Sequence, residues 1–213
     1  MKQKLLPAFA AIVALFSFYN VVIAQAPDLG TAANFVLFST NGAVSNAGTS
    51  HLTGNVGTNN GPNTGFGNVN GTMHSADGTT AVCASDLLKA YNQIKNTAPE
   101  FFHASLIGDN DTLTAGVYSI EGNTTLDQTL VLNAKGDSSA VFIFKISAAF
   151  STTAASQVVL INGAQACNVF WSAEGLISVA TGTTMKGTLI ANNAAITLGT
   201  GVGLEGRALS TTG

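Results

Sequence analysis

The sequence predicts a mainly β fold, an irregular β-helical solenoid with one long α-helix packed alongside. Three observations predict it. Short phrases recur: ISVATGTTMKGTLIA (177–191) superposes on ITLGTGVGLEGRALS (196–210) at a step of 19 residues, with Ile177 on Ile196, Thr181-Gly182 on Thr200-Gly201 and Gly187 on Gly206. Between the phrases apolar residues alternate, as in ISV, ITL and VFIFKI, and a period of two is the strand signal. One segment, 75–102, has helical spacing instead. Units of ~20–30 residues that cannot bury their apolar face alone must stack on their neighbours, which is the logic of a solenoid.

The elements follow in order. MKQK and the apolar run LLPAFAAIVALFSFY, followed by the small-residue site Val22-Ile23-Ala24, have the layout of a secretory signal peptide. Residues 1–24 are predicted to be that leader, cleaved after Ala24. A cut after Ala26 would leave Pro27 first, which signal peptidases reject. Residues 25–213 then suffice for one domain with its own core. Near its start, VSNAGTSHLTG (44–54) carries the phrase Ala47-Gly48-Thr49-Ser50. The segment 75–102 places Val82, Leu87, Tyr91 and Ile94 on one helical face, with Ser75 or Asp77 to cap it and Pro99 to end it. The predicted helix spans about 76–97, and its single apolar face requires it to lie against the solenoid. Beyond it the repeats continue in TTLDQTLVLNA (124–134) and FSTTAASQVVLING (150–163). Leu130-Val131-Leu132 falls on Val158-Val159-Leu160 at a step of 28, and Phe150 on Ile177 at a step of 27. Unequal steps predict coils whose faces differ.

Composition narrows the function. Charged residues are 9% of the chain and the net charge is −3, against the roughly 25% charged residues of an ordinary globular protein. No basic field exists to hold nucleic acid or an anionic membrane. No segment beyond the leader reaches transmembrane length, so the expected protein is secreted, with a periplasmic stay as the alternative. It is expected to act as a monomer. The two cysteines, Cys83 and Cys167, are expected to pair in the oxidising environment that export provides. Such a bridge would close a long loop and stabilise by roughly 4 kcal/mol. The alternative is two separate buried thiols.

Enzyme chemistry finds little to stand on. Glycoside hydrolysis needs two carboxylates facing one bond, yet none of the eleven acids recurs from coil to coil. Asp109 and Asp111 sit in a GDND turn, as solvated turn residues do. His51, His74 and His103 lie at no ligand spacing from either cysteine, so neither a metal nor another cofactor is expected. His74 reads as a residue of the helix-capping region and Trp171, beside Val169 and Phe170, as core. Lys186 and Glu205 occupy equivalent places one coil apart and read as a surface pair worth little.

What recurs is uncharged. Aligning the phrases brings Thr49-Ser50, Gln128-Thr129, Ser156-Gln157, Thr183-Thr184 and Val202-Gly203 to equivalent places, preceded by Thr181 and Thr200 in the last two. Coils stack about 4.8 Å apart. Threonine's branched side chain is stiff at χ1, so such a strip holds methyls and hydroxyls in a regular grid. Threonine is also simply a good strand residue.

The chain resembles the secreted ice-binding protein family carrying the DUF3494 domain. The resemblance rests on LGTAANFVLFS (29–39), NGTMHSAD (70–77) leading into DLLKAY (86–91), LTAGVYSI (113–120), LVLNAKGDSSAVFIFKI (130–146), VVLINGAQACNVFW (158–171), GTTMKGTLIA (182–191) and ITLGTGVGLEGRALS (196–210). It implies a discontinuous right-handed β-solenoid of triangular section, a triangular β-helix, with one long helix alongside. It also implies adsorption to an ice crystal surface through one flat β-face, which in this family often bears T-A/G-x-T/N phrases. Thr181-Gly182-Thr183-Thr184 fits that phrase fully; Ala47-Gly48-Thr49-Ser50 and Thr200-Gly201-Val202-Gly203 fit in part, and Leu126-Asp127-Gln128-Thr129 departs from it. The expected ice-binding residues are therefore Thr49, Ser50, Thr129, Ser156, Thr181, Thr183, Thr184 and Thr200. Replacing Thr183 or Thr184 by Tyr is expected to abolish activity without changing thermal unfolding. A secreted β-helical adhesin or carbohydrate-binding module, using the same face on a polymer, is the alternative; a polysaccharide lyase ranks third.

Overall fold

The structure, a computed structural model, describes residues 24–213. The predicted leader lies outside the described residues but for Ala24. The chain winds into coils whose strands, all in parallel register, stack into three faces. On the first face the order is Met73–Ser75, Asn55–Thr58, Phe35–Ser39, Gly203–Ser210, Thr184–Ala191, Val169–Ala173, Phe142–Ile146, Gly116–Ile120 and Phe101–His103. The solenoid is thus discontinuous, because the first of these strands in the chain lies against the last, with Leu37 opposite Ala208. The second face holds Leu106–Gly108, Thr124–Asp127, Phe150–Thr152, Ile177–Val179 and Ile196–Leu198 as a five-stranded sheet, and Val44–Ser45 with Asn63–Thr64 as a separate pair. The third holds Thr112–Thr114, Thr129–Asn133, Gln157–Ile161 and the first halves of the two eight-residue strands, with Leu52–Thr53 and Val69–Asn70 apart.

The repeats in the sequence are the register of the coils. Ile177 pairs with Ile196, Gly187 with Gly206, Phe150 with Ile177, and Leu130-Val131-Leu132 with Val158-Val159-Leu160. The two long strands turn from the third face to the first at Gly187 (φ 108°) and Gly206 (φ 153°), where the backbones stack so closely that a Cβ on Gly206 would lie 1.9 Å from the Gly187 carbonyl oxygen. No other residue fits there.

Stacking also places like side chains over like. Along the first face, Phe101, Tyr118, Phe144 and Trp171 form an aromatic column, exposed at Phe101 and buried beyond it, with the Phe144 and Trp171 rings stacked 4.0 Å apart and nearly parallel. Trp171 is fully buried, stacks also on Phe150, and donates its indole N–H to the Lys186 carbonyl at 2.9 Å.

The helix, Gly78–Asn96, carries the chain from one end of the stack to the other. Nineteen residues reach about 28 Å, and its linkers complete the eight strand spacings of about 38 Å between Met73–Ser75 and Phe101–His103. Asp77 caps it: its carboxylate accepts from the Thr80 N–H, while the Thr80 hydroxyl accepts from the Asp77 N–H. The His74 ring lies 2.7 Å from the second oxygen of that carboxylate. The buried stripe is Thr80, Cys83, Leu87, Ala90, Tyr91 and Ile94, set against Val117, Ile143, Phe170, Ile190, Leu209 and Phe38 of the first face. Val82, expected on that stripe, is 51% exposed. Cys83, one residue and about 100° further round, takes the buried place. At the far end the Lys145 ammonium donates to the Lys95 and Thr97 carbonyls, groups that a helix terminus leaves without intrahelical partners. Tyr91 donates to Glu174 at 2.6 Å, and Asn192 donates to both.

The expected disulfide does not form. Cys83 is buried under the helix and Cys167 is exposed, both as free thiols. The reason is position: the first stands in the helix–sheet core, whereas the second stands on the short 3-10 turn Ala166–Asn168, at an outer corner. Burial pushes the Cys83 thiol up to about 12.

Candidate functional site

The phrases that repeat in the sequence are corners. Each lies where the chain leaves the second face for the third, and turns through a residue of positive φ, the second of its phrase at Ala155 (59°), Gly182 (72°) and Gly201 (72°) and the third at Gln128 (53°). Successive corners are bonded, Gly182 N–H to the Thr200 carbonyl and Ala155 N–H to the Thr181 carbonyl, both at 3.0 Å. The third residue of two phrases turns its hydroxyl inward. Thr183 lies 3.0 Å from the Thr152 hydroxyl and donates to the Thr153 carbonyl, and Ser156 donates to the Thr153 and Leu126 carbonyls. Both side chains are fully buried. They staple one coil to the next and touch nothing outside.

The expected ligand-facing residues therefore divide. Thr181 and Thr200 stand exposed at stacked corners, and Thr49 is exposed at the equivalent corner of the N-terminal coils. Ser50, beside it, is half-buried and donates to the Asn46 side chain at 2.6 Å. Thr184 is exposed and Thr129 half-buried, but both begin third-face strands, in one column with Gln157. Thr183 and Ser156 point into the interior. As binding residues these two are corrected: at the corners that turn through Ala155 and Gly182 the following side chain points inward and bonds the neighbouring coil.

A more regular array lies one strand upstream. On the second face Thr125, Ser151, Ser178 and Thr197 pair in direct register, their side chains outward between flanking residues that are buried in the first three strands and half-buried in the last. Leu106 heads the column at 52% exposure. The hydroxyls therefore repeat about every 4.8 Å, and the corner residues Thr153, Thr181 and Thr200 border them. Across 104–109, 123–128, 149–155, 176–182 and 195–201 only Asp109 and Asp127 are ionisable; the Asp109 carboxylate accepts from the Gln128 side chain at 2.9 Å and that of Asp127 from the Thr153 hydroxyl at 2.6 Å. The other faces differ. The first is covered by the helix, and the third carries the Lys186–Glu205 ion pair at 2.5 Å. The second-face residues escape the phrase alignment, although the alternation in TTL, FST, ISV and ITL marks the middle position of each as outward.

The geometry has counterparts in known proteins. The profile of the family described as ice-binding-like matches residues 38–213. The chain belongs to the ice-binding-like family. It is 36% identical over 208 residues to an ice-binding protein of Nostoc sp. (strain HG1), covering 95% of this chain and 76% of that protein. Among solved structures, an ice-binding protein from an Antarctic Flavobacteriaceae bacterium superposes with a TM-score of 0.87 at 57% identity. The match covers 89% of this chain and 45% of that one, so this chain spans less than half of that protein's length. An ice-binding protein of the Antarctic ascomycete Antarctomyces psychrotrophicus superposes with a TM-score of 0.74 at 28% identity, covering 88% and 97%. The mainly β, parallel-stranded solenoid with one helix is the fold of these ice-binding-like relatives.

Proposed function

We propose that this chain adsorbs to ice through its second face and thereby inhibits ice growth and recrystallisation. The observation that carries the reading is the in-register column Thr125–Ser151–Ser178–Thr197 on an open face whose two carboxylates, Asp109 and Asp127, are each held by a neighbouring side chain, in a chain that belongs to the ice-binding-like family. Ice is flat and periodic. A rigid ladder of methyls and hydroxyls offers it short polar contacts without the strongly held hydration of charged groups, and parallel strands fix the spacing before contact, so little side-chain freedom is lost on binding. Bound protein pins the advancing front between adsorption points; no bond is made or broken. Residues 1–24 are proposed to direct export, and the released protein to act as a monomer outside the cell.

Purified protein carrying a fluorescent label is expected to be enriched in a slowly grown ice hemisphere and to keep ice grains small during annealing. Exclusion from the ice together with retention on insoluble polysaccharide would replace ice with a polymer as the ligand.

A further inference from the structure

The last turn of the helix roofs a small cleft over the first face, with Ile94 and Lys95 above and the strands Gly116–Ile120, Phe142–Ile146 and Val169–Ala173 below. Register arranges its polar groups. Ser119, Lys145 and Ser172 are cross-strand partners and form one column. Two residues further along each strand, and so on the same side of the sheet, Glu121, Ser147 and Glu174 form a second. Its layers are held by the Ser147 N–H on the Ile120 carbonyl and the Glu174 N–H on the Ile146 carbonyl. All six residues line the cleft, in layers about 4.8 Å apart. A cation thus stands between two hydroxyls in one column, and a hydroxyl between two carboxylates in the other.

These charges are not spent on one another. Among the described residues Lys95, Glu121, Lys145 and Glu174 form no ion pair. The Lys95 ammonium lies over the Tyr91 ring at 5.6 Å. Lys145 donates to the Lys95 and Thr97 carbonyls, which leaves the third of its three N–H groups free. Tyr91 and Asn192 donate to Glu174 and hold it in place, with acceptor capacity to spare on its two oxygens. Ser172 is 5% exposed, and its hydroxyl opens into the cleft without a hydrogen-bond partner among the described residues. A buried hydroxyl left unpaired is costly, and an acceptor placed in the cleft would satisfy it.

We propose that this cleft binds a small zwitterion carrying a primary ammonium and a carboxylate, the chemistry of a free amino acid. The ligand carboxylate accepts from Lys145 and from the Ser119 and Ser172 hydroxyls. Its ammonium donates to Glu121 and Glu174 across Ser147. The lining supplies two positive and two negative groups, so a dipolar ligand meets both signs, where a simple anion or cation would leave one sign unmet. Size agrees: the volume is about 170 Å³, below the ~300–1,000 Å³ that holds a drug-sized ligand. The site lies beneath the helix on the first face and is independent of the second face and of ice.

The probe is glycine, titrated into the whole protein in liquid water and followed by amide chemical shifts. Saturable shifts are expected at Ser119, Lys145 and Ser172, with a dissociation constant on the order of millimolar, as suits so few ligand atoms. Ser172→Ala, which takes a donor from the ligand carboxylate, and Glu121→Gln, which takes the charge facing its ammonium, should each weaken binding about tenfold. Neither side chain has a hydrogen bond among the described residues to lose, so both variants should melt as the parent does; if one folds poorly, the other carries the test. Sodium acetate and methylammonium chloride, the two halves of the ligand, should each bind about tenfold more weakly than glycine. Shifts that stay linear to about 100 mM glycine, or an unchanged constant in both variants, overturn the proposal. Acetate binding as tightly as glycine also overturns it, reducing the cleft to an anion site.

Discussion

Thr183 and Ser178 are both small hydroxylated residues, yet their side chains do opposite work. Thr183 follows a left-handed glycine and is turned into the corner, where it bonds to Thr152 and Thr153. Thr183→Val keeps the shape and removes the hydroxyl, leaving buried partners unsatisfied, at a cost of about 1–3 kcal/mol in unfolding free energy. Denaturant titration measures it; an unchanged midpoint would mean that the staple holds nothing. Thr183→Tyr, expected from the phrase alone to spare stability, instead overfills a closed corner and should lower the melting temperature. The sequence spells the phrase plainly but not the direction of its third side chain. That direction depends on how the preceding residue turns the corner, and Gly182 and Ala155 do not look alike. The alternation in ISV and ITL, in contrast, already holds the outward position of Ser178 and Thr197.

The helix shows how an element can be legible while its rotation is not. Its cap, its length and most of its buried stripe follow from Asp77, Leu87, Tyr91 and Ile94; Val82 against Cys83 is settled only by the sheet it meets. The cysteines fall under the same limit, since partners at positions 83 and 167 can be judged only once both elements are placed. Alkylation of the native protein is expected to modify Cys167 alone, with Cys83 reacting only after unfolding, as intact mass will report; no alkylation at all would restore the disulfide. The cap has a pH signature. The His74 side chain first, and the Thr80 N–H next, hold the Asp77 carboxyl below the usual carboxylate range. A depressed folded value means stability that is fully present above the unfolded pKa, about 3.9, and lost as pH falls through the folded value. Asp77→Ala should therefore melt earlier than the parent at neutral pH, with the gap closing in strong acid. A gap independent of pH would remove the carboxylate's charge from the account.

At the scale of the molecule, 19-residue and 27–28-residue steps in the sequence become layers of one stack, and the helix returns the chain to the stack's far end so that its first coils can rest on its last. The repeats made the stack legible. The join between Phe35–Ser39 and Gly203–Ser210 was not, because no local pattern says that strands so far apart in sequence are neighbours. This long-range closure leaves the second face as the open, nearly uncharged side, and the central claim is that ice registers against it. The direct test compares Ser178→Tyr on the second face with Val159→Tyr on the third, each verified by its melting temperature, in an ice-recrystallisation assay. Loss of inhibition in Ser178→Tyr with retention in Val159→Tyr is predicted; full inhibition in Ser178→Tyr, with loss in Val159→Tyr, would contradict the account.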